Sequence, residues 1–328
     1  MQISELEVFD LKSSPELRDT WHDSLHIPGL SFSDLTTLKV NDCQFLSDAV
    51  LPFHLLPLLH KLKRLIVEDC DNVKAIFDVK RTTQDTLITL PLEVLALSNL
   101  SNLENIWSED PHEILSMHHL QEVFIDECKC LKSLFQAASV AKDLLTLKTL
   151  LVENCEGLVA MVEEESKEDE IIFPQLMFLK IESCNSLKYL FRSSTAKSLG
   201  QLKSMIIKEC ESMEEIISKK GEESDEKVEI IFEQLQDLYL ENLNELRCFY
   251  NGNFTLSFPS LVKVHVIECN FMKTFCVFNK IDHSIMCYYS EYARPRKETD
   301  LNSALHRNFE DKVRILLRLN FCSTKLGV

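Results

Sequence analysis

The chain has 328 residues and a formal net charge of −17 at pH 7, from 52 acidic and 35 basic side chains. This balance disfavours nucleic-acid binding, which needs an excess of Lys and Arg against the phosphates. With no apolar run of about 18 residues and no secretory signal at the N-terminus, we expect a cytoplasmic protein whose twelve cysteines are reduced.

One phrase, Leu-x-x-Leu-x-Leu-x-x-Cys-x-x-Leu, recurs along the chain. One copy contains Leu176, Leu179, Ile181, Cys184 and Leu187. The apolar residue at the centre of each copy, here called the anchor, returns every 26 to 33 residues. The anchors are Leu11, Val40, Val67, Leu97, Ile125, Val152, Ile181, Ile207, Leu240 and Val266. This period predicts a leucine-rich-repeat solenoid.

Each copy is predicted to begin as a short β-strand, because apolar residues alternate around the anchor. Stacked strands would form a parallel sheet on the concave face of a horseshoe, with one continuous core behind it. We therefore predict an α/β solenoid of about ten irregular repeats over residues 1–276. The aromatic residues that end some repeats, Trp21 and Trp107 among them, are expected to pack in that core.

Seven cysteines share one position of the phrase, three residues after the anchor. They are Cys43, Cys70, Cys128, Cys155, Cys184, Cys210 and Cys269. In leucine-rich repeats this position points inward at the end of the strand, and Cys suits it as a small side chain that prefers burial. Metal binding is the alternative, but neither Cys-x-x-Cys pairs nor His at ligand spacing accompany the column, so we expect no metal.

Two columns of polar residues follow the anchors and are expected at the concave face or its rim. Together they hold ten acidic residues and two lysines. Because neighbouring repeats lie about 5 Å apart, these carboxylates repel one another and favour a basic partner; a solvated rim without a partner is the alternative. The predicted partner-binding residues are Glu68, Asp69, Asp126, Glu127, Glu153, Glu182, Glu209, Glu241 and Glu268.

After Cys276 the phrase stops, and residues 277–328 are predicted to form a divergent tail. A helical period runs over residues 299–319, with Thr299 as the expected N-cap. Its apolar positions are Leu301, Leu305, Phe309, Val313 and Leu316 or Leu317. We expect this helix to cover the open end of the core, and docking of another chain is the alternative.

Catalytic motifs do not occur in the sequence. A Gly-x-x-x-x-Gly-Lys-Ser/Thr loop is absent, and six glycines leave little material for phosphate-binding loops. His112 and Glu113 lack the second His of a zinc protease, and no Gly-x-Ser-x-Gly turn is present. The prediction is a protein that is not an enzyme and has no cofactor.

Several stretches carry a family resemblance: residues 126–135 (DECKCLKSLF), 182–191 (ESCNSLKYLF), 103–107 (LENIW) and 300–309 (DLNSALHRNF). They resemble the repeat region of plant disease-resistance proteins of the coiled-coil, nucleotide-binding, leucine-rich-repeat class. The resemblance covers roughly residues 1–312. It implies recognition of pathogen effectors, directly or through a guarded host protein, and restraint of a nucleotide-binding domain. That domain is missing from this sequence, so no nucleotide-binding residue is carried over.

We therefore predict a protein-recognition module of an intracellular plant immune receptor. Its partner would be a pathogen effector, a guarded host protein or the receptor's own nucleotide-binding domain, bound without covalent chemistry. Two other functions remain open. One is a stand-alone adaptor that presents substrates to a ubiquitin ligase, and the other is an inhibitor that closes over a basic protein.

Overall fold

A computed structural model of the protein describes residues 7–12, 21, 32–79, 87–111, 114–137, 143–164, 173–219, 229–281, 283–289, 295–303 and 305–306. These residues form a solenoid of short parallel strands with little helix. No helix within them is long and apolar enough to span a membrane.

The strands are numbered in chain order. They are β1 (Val8–Lys12), β2 (Thr37–Asn41), β3 (Ala49–Leu51), β4 (Arg64–Glu68), β5 (Ala75–Phe77), β6 (Ile88–Thr89), β7 (Val94–Ser98), β8 (Asn105–Trp107), β9 (Leu115–Ser116), β10 (Glu122–Asp126), β11 (Ser133–Ala137), β12 (Thr149–Glu153), β13 (Ala160–Glu164), β14 (Phe178–Glu182), β15 (Phe191–Arg192), β16 (Ser204–Lys208), β17 (Glu215–Ser218), β18 (Glu229–Ile231), β19 (Asp237–Glu241), β20 (Cys248–Ser257), β21 (Lys263–Ile267), β22 (Thr274–Lys280), β23 (Ile285–Tyr288) and β24 (Arg296–Glu298). Helical segments include a 3-10 helix at Phe53–Leu58 and helix α1 at Ser193–Ala196.

The main sheet follows the repeated phrase. Its strand order is β1-β2-β4-β7-β10-β12-β14-β16-β19-β21-β23-β24, and all neighbours are parallel except the last pair. The register aligns the anchors, so that Val152 of β12 pairs with Ile125 on one side and Ile181 on the other. Every predicted anchor lies in a strand of this sheet. The predicted leucine-rich-repeat solenoid is confirmed.

Alternation within each strand separates core from surface. In β12, Leu150 and the anchor Val152 are fully buried, whereas Thr149, Leu151 and Glu153 are partly exposed. The inward residues of all repeats join into one hydrophobic cluster that extends from Leu11 to Leu305. Burial of each large apolar side chain contributes about 1.5–3 kcal/mol, so the stacking of repeats supplies the stability that a single strand lacks.

A turn with positive φ ends the main strands. The second residue after the anchor has φ between 51° and 55° at Asp42, Asp69, Asn99, Glu127, Asn154, Ser183, Glu209, Asn242 and Glu268. In the first eight of these, the N–H donates to a carbonyl oxygen of the next repeat at 2.9–3.2 Å. Asn and Asp tolerate this left-handed conformation better than most residues, which partly explains the polar composition of the column.

The convex side consists of short parallel sheets and an aromatic core. Strands β3-β5-β8, β11-β13 and β15-β17-β20-β18 form separate small sheets, and β22 pairs with β20. Phe77, Trp107, Phe135 and Phe173 follow one another at ring-centroid distances of 6.2, 6.1 and 5.3 Å. The buried Trp21 donates its indole N–H to the carbonyl oxygen of Val50 at 2.7 Å. Core packing of both tryptophans is confirmed.

The main sheet continues beyond the last predicted repeat. Strand β23 pairs in parallel with β21, and β24 pairs with β23 in the antiparallel direction. The sequence analysis did not predict either strand, because the stretch lacks the leucine spacing of the phrase. The alternation of Ile285 and Cys287, both buried, was the available signal.

A short helical stretch follows β24 and contacts the open end of the core. Asp300, rather than the predicted Thr299, caps it, because the Asp300 Oδ1 atom accepts the N–H of Ser303 at 2.6 Å. Leu301 and Leu305 are buried in the hydrophobic cluster. The predicted helix beyond residue 306 lies outside the described residues. A helical tail and the count of ten repeats therefore stay predictions.

Candidate protein-binding surface

The concave face is the side of the main sheet that points away from the core. Each strand gives it the third residue before the anchor, the residue directly before it and the residue directly after it. Parallel register aligns these positions from strand to strand, about 4.8 Å apart. The face therefore has three columns, here called the leading, middle and trailing columns in chain order.

The structure places all nine predicted partner-binding residues along one border of this face. Glu68, Asp126, Glu153, Glu182 and Glu241 end their strands in the trailing column. The others, Asp69, Glu127, Glu209 and Glu268, occupy the adjacent turn with positive φ. The sequence therefore located the acidic border correctly, whereas the binding role of these residues stays a prediction.

In the C-terminal part of the border, lysines neutralise Glu153, Glu182 and Glu241. The Lys180 Nζ atom, in the middle column, lies 2.9 Å from Glu153 and 2.7 Å from Glu182. The Lys208 Nζ atom lies 2.9 Å from Glu241. Burial lowers the pKa of Lys180, but hydrogen bonds to the two carboxylates outweigh burial and raise that pKa overall. For Lys208 the hydrogen bond to Glu241 is the main cause of a raised pKa.

In the N-terminal part of the border, neutral amides stand in place of lysines. The Asn99 Nδ2 group donates to Asp69 at 2.8 Å, and Asn154 donates to Asp126 at the same distance. These amides orient the carboxylates without cancelling their charge. Within the described part of the chain, no Lys or Arg nitrogen pairs with Glu68, Asp69, Asp126 or Glu127.

The middle column contains functional candidates that the sequence analysis missed. Its residues from β4 to β23 are Ile66, Ala96, Phe124, Leu151, Lys180, Ile206, Tyr239, His265 and Tyr288. All of them are partly exposed, although most are apolar or aromatic. The signal was present in the run Glu122-Val-Phe-Ile-Asp126, because alternation turns Phe124 outward when Val123 and Ile125 face the core.

Three rings stack at the C-terminal end of the middle column. The Tyr239 and His265 ring centroids are 4.5 Å apart, and those of His265 and Tyr288 are 4.2 Å apart, with interplanar angles of 20° and 3°. The Lys208 Nζ atom lies 4.6 Å from the centre of the Tyr239 ring. Burial is the main cause of a lowered pKa for His265. These three rings therefore pack on one another across neighbouring strands of the sheet.

The cysteine column lies beneath this surface. All seven members are buried, and each Sγ atom lies 3.2–3.5 Å from the carbonyl oxygen two residues earlier. The predicted inward, structural position is confirmed. Cys128 is buried whereas Cys130 is exposed, so these two thiols point apart. Within the described ranges, no group of three or more Cys, His, Asp or Glu side chains is arranged to hold a metal ion.

One cluster outside the concave face combines the residue types of a hydrolase. Ser116 Oγ lies 2.9 Å from His118 Nδ1 and donates to Asp143 Oδ2 at 2.8 Å, and this carboxylate also accepts the N–H of Met117 at 2.8 Å. In a serine hydrolase the imidazole stands between carboxylate and hydroxyl, whereas here the hydroxyl stands between the other two. The cluster therefore fixes a turn and does not form a proton relay.

Comparison with known proteins identifies the family. The family model described as plant disease resistance protein RPS2-like, leucine-rich repeats, matches residues 5–156 and 158–279. No individual curated protein matches the chain. The match spans most of the strands of the main sheet, from β1 to β21. The chain therefore belongs to the leucine-rich-repeat family of RPS2-like plant disease resistance proteins.

Proposed function

We propose that this chain is the protein-recognition module of an intracellular plant immune receptor. The observation that carries the proposal is the concave sheet, whose outward columns present partly exposed apolar side chains next to a border rich in carboxylates. A wide surface of this kind suits a protein partner, because many repeats can share the contact. Family membership adds support.

The proposed mechanism is a shift between two receptor states. At rest, the repeat region binds the receptor's own nucleotide-binding domain, which lies outside this sequence. A pathogen effector, or a host protein that it alters, binds the repeat region instead and releases that domain. A ligand shifts such an equilibrium only by its difference in affinity for the two states. The partner must therefore compete for the surface that holds the resting state.

The acidic border also favours a second function, inhibition of a basic protein. Residues 1–276 contain 46 acidic and 26 basic side chains. An inhibitor would bind its target as an isolated chain, and its affinity would fall steeply with salt. A receptor module would show its function only when joined to the nucleotide-binding domain, so the two proposals make different predictions for the same chain.

Direct binding tests the proposed recognition surface. Partners captured by the full chain from plant tissue would be purified, and their affinities measured by isothermal titration calorimetry. The double variant Asp126→Lys with Glu153→Lys should weaken binding by about tenfold or more, since removal of favourable charges and addition of repulsive ones act together. Circular dichroism would check that the variant retains its strands.

The matched control changes the same charge outside the concave face. Glu104 and Glu245 are both exposed and lie outside the main sheet, and Glu104→Lys with Glu245→Lys should leave the affinity unchanged. Equal affinities for wild type and both double variants would contradict recognition through the concave face. Salt-dependent, tight binding of a basic protein to the isolated chain would support the inhibitor.

A further inference from the structure

One surface of the described residues is a set of partly or largely exposed apolar side chains at the N-terminal part of the concave face. We call it the apolar strip, and it consists of Ile66, Ala96, Phe124, Leu151 and Phe178. The first four are consecutive members of the middle column, on β4, β7, β10 and β12. Phe178 lies in the leading column of the next strand and is 45% exposed. Lys180 ends the strip in the middle column.

A set of carboxylates that form no ion pair with the described Lys and Arg side chains runs beside the strip. This set, called the acidic border of the strip, consists of Glu68, Asp69, Asp126 and Glu127. Glu68 and Asp126 are two residues further along the same strands as Ile66 and Phe124, about 6.6 Å away. Asn99 and Asn154 hold two of the carboxylates in place but leave their charge.

We propose that the apolar strip and its acidic border bind an amphipathic α-helix of a partner protein, with an apolar stripe flanked on one side by Lys or Arg. This proposal rests on the recognition function above and names the chemistry of the partner at that surface. Apolar side chains of the helix cover the strip, and its basic side chains meet the carboxylates of the border, with which no Lys or Arg of the described residues forms an ion pair.

The spacing of the strip fits a helix better than an extended chain. The strip crosses five neighbouring strands, about 4.8 Å apart. A helix that runs across the strands presents apolar residues at i, i+3 or i+4, and i+7, with a rise of about 1.5 Å per residue. Successive apolar residues on one face of such a helix are therefore about 4.5–6 Å apart along its axis, which is close to the spacing of the strands. An extended chain repeats a face every 6.6 Å or so and leaves this register after one or two residues.

The charge pattern decides the class of partner. The acidic border of the strip carries four carboxylates, and none of them lies within 4.0 Å of a Lys or Arg nitrogen among the described residues. An acidic helix, a nucleic acid or an anionic membrane would be repelled. A basic helix gains from both the apolar contact and the charge contact, and complementary charge also speeds its association.

A synthetic probe tests the strip without knowledge of the natural partner. The probe is an 18-residue peptide of leucine and lysine, with all leucines on one face of the helix. The control peptide has the same composition in an order that gives no apolar face. Titration of each into the full chain at about 0.15 M salt should show at least tenfold tighter binding of the amphipathic peptide.

Paired variants locate the binding site on the chain. Phe124→Ser with Leu151→Ser removes apolar contacts from the strip, and should weaken binding of the amphipathic peptide about tenfold. Ile206→Ser with Tyr239→Ser is the matched control in the same column of the C-terminal part, and should change binding less than twofold. All four side chains are partly exposed, so both variants should fold, which circular dichroism would check.

A second pair tests the charge and does not depend on apolar replacements. Glu68→Gln with Asp126→Asn removes two charges from the acidic border of the strip and should weaken binding about fivefold. Glu104→Gln with Glu245→Gln removes two exposed charges outside the concave face and should have little effect. Equal binding of both peptides, or equal losses in the strip and control variants, would overturn the proposal.

The result is separable from that of the proposed function. If the peptide binds the strip but a natural partner ignores Asp126→Lys with Glu153→Lys, the strip proposal stands and recognition through the concave face fails. If that double variant weakens binding of the natural partner but the strip variants do not weaken binding of the peptide, recognition through the concave face stands and the helix proposal is overturned.

Discussion

The two ends of the concave face solve the same electrostatic problem in different ways. Parallel stacking aligns Glu153 with Asp126 on one side and with Glu182 on the other, about 5 Å apart. From β14 onward, Lys180 and Lys208 lie within 3 Å of carboxylates and neutralise them. Between β4 and β12, Asn99 and Asn154 donate hydrogen bonds but supply no charge.

The difference shows that the choice of side-chain pairs in a repeat protein determines which charges remain available to a partner. A lysine neutralises the neighbouring carboxylates within the sheet, so their charge is no longer available to a partner. An amide orients a carboxylate and leaves its charge available. Packing also differs: Tyr239, His265 and Tyr288 are partly exposed like Phe124 and Leu151, but their rings stack on one another. The C-terminal end therefore pairs more of its outward side chains with one another, and the N-terminal end leaves more of them for a partner.

The largest expected effect concerns the thiol column, which lies beneath both ends. In the Cys43–Cys70 pair, the hydrogen bond between the thiols raises the pKa of Cys43 and lowers that of Cys70. Further along the column three pKa values are raised: the Cys128 thiol raises the pKa of Cys155, the Cys155 thiol raises that of Cys184, and burial raises that of Cys210 to about 12.

A thiol whose pKa is raised in the folded protein contributes stability at low pH, and this contribution is lost as the pH rises. The unfolded thiol ionises near pH 8.5 while the folded one stays protonated, so each such thiol should reduce the free energy of unfolding by about 1.4 kcal/mol per pH unit above about 8.5. Urea unfolding at pH 7.5, 8.5 and 9.5 measures the slope. Cys184→Ala should make it shallower, and replacement of the exposed Cys130 should not. A stability independent of pH in this window would refute the account.

The second prediction removes the cation that separates the two ends. Lys180→Met leaves Glu153 and Glu182 facing each other across neighbouring strands. Because the three side chains are only 27–33% exposed, we expect a loss of about 1–2 kcal/mol in the free energy of unfolding, less than for a fully buried pair. Urea unfolding measures this loss.

A rescue variant distinguishes the loss of charge balance from the loss of packing. Adding Glu153→Gln and Glu182→Gln to Lys180→Met should restore most of the lost stability. Lys180→Met alone also leaves Glu153 and Glu182 without their cation. This variant should therefore bind the leucine and lysine peptide a few-fold more tightly than the wild type. A full loss of stability that persists in the triple variant would show that Lys180 acts through its aliphatic chain.

The extent to which the sequence predicted these features follows from what the repeat constrains. The phrase defines inward positions such as Val152 and Cys155, so strands, register and core were predictable from spacing alone. The outward positions are free of that constraint, and only alternation around each anchor could have identified Phe124. The bridge from Lys180 to two carboxylates depends on side-chain rotamers, which no spacing encodes. Strands β23 and β24 were missed because their residues do not repeat the phrase.

The smallest effect concerns the turn that both ends share. Glu127 and Glu209 have φ of 51° and 52°, a conformation that costs an ordinary residue about 1 kcal/mol and that glycine adopts freely. Glu127→Gly should therefore raise the free energy of unfolding by about 0.5 kcal/mol after the entropic cost of glycine. Glu209→Gly should gain less, because Ser183 donates a hydrogen bond to the Glu209 carboxylate at 3.1 Å. Glu127→Gln keeps the backbone strain and removes the charge, so it separates the two contributions. If Glu127→Gly and Glu127→Gln change the urea midpoint equally, charge rather than backbone conformation governs this turn.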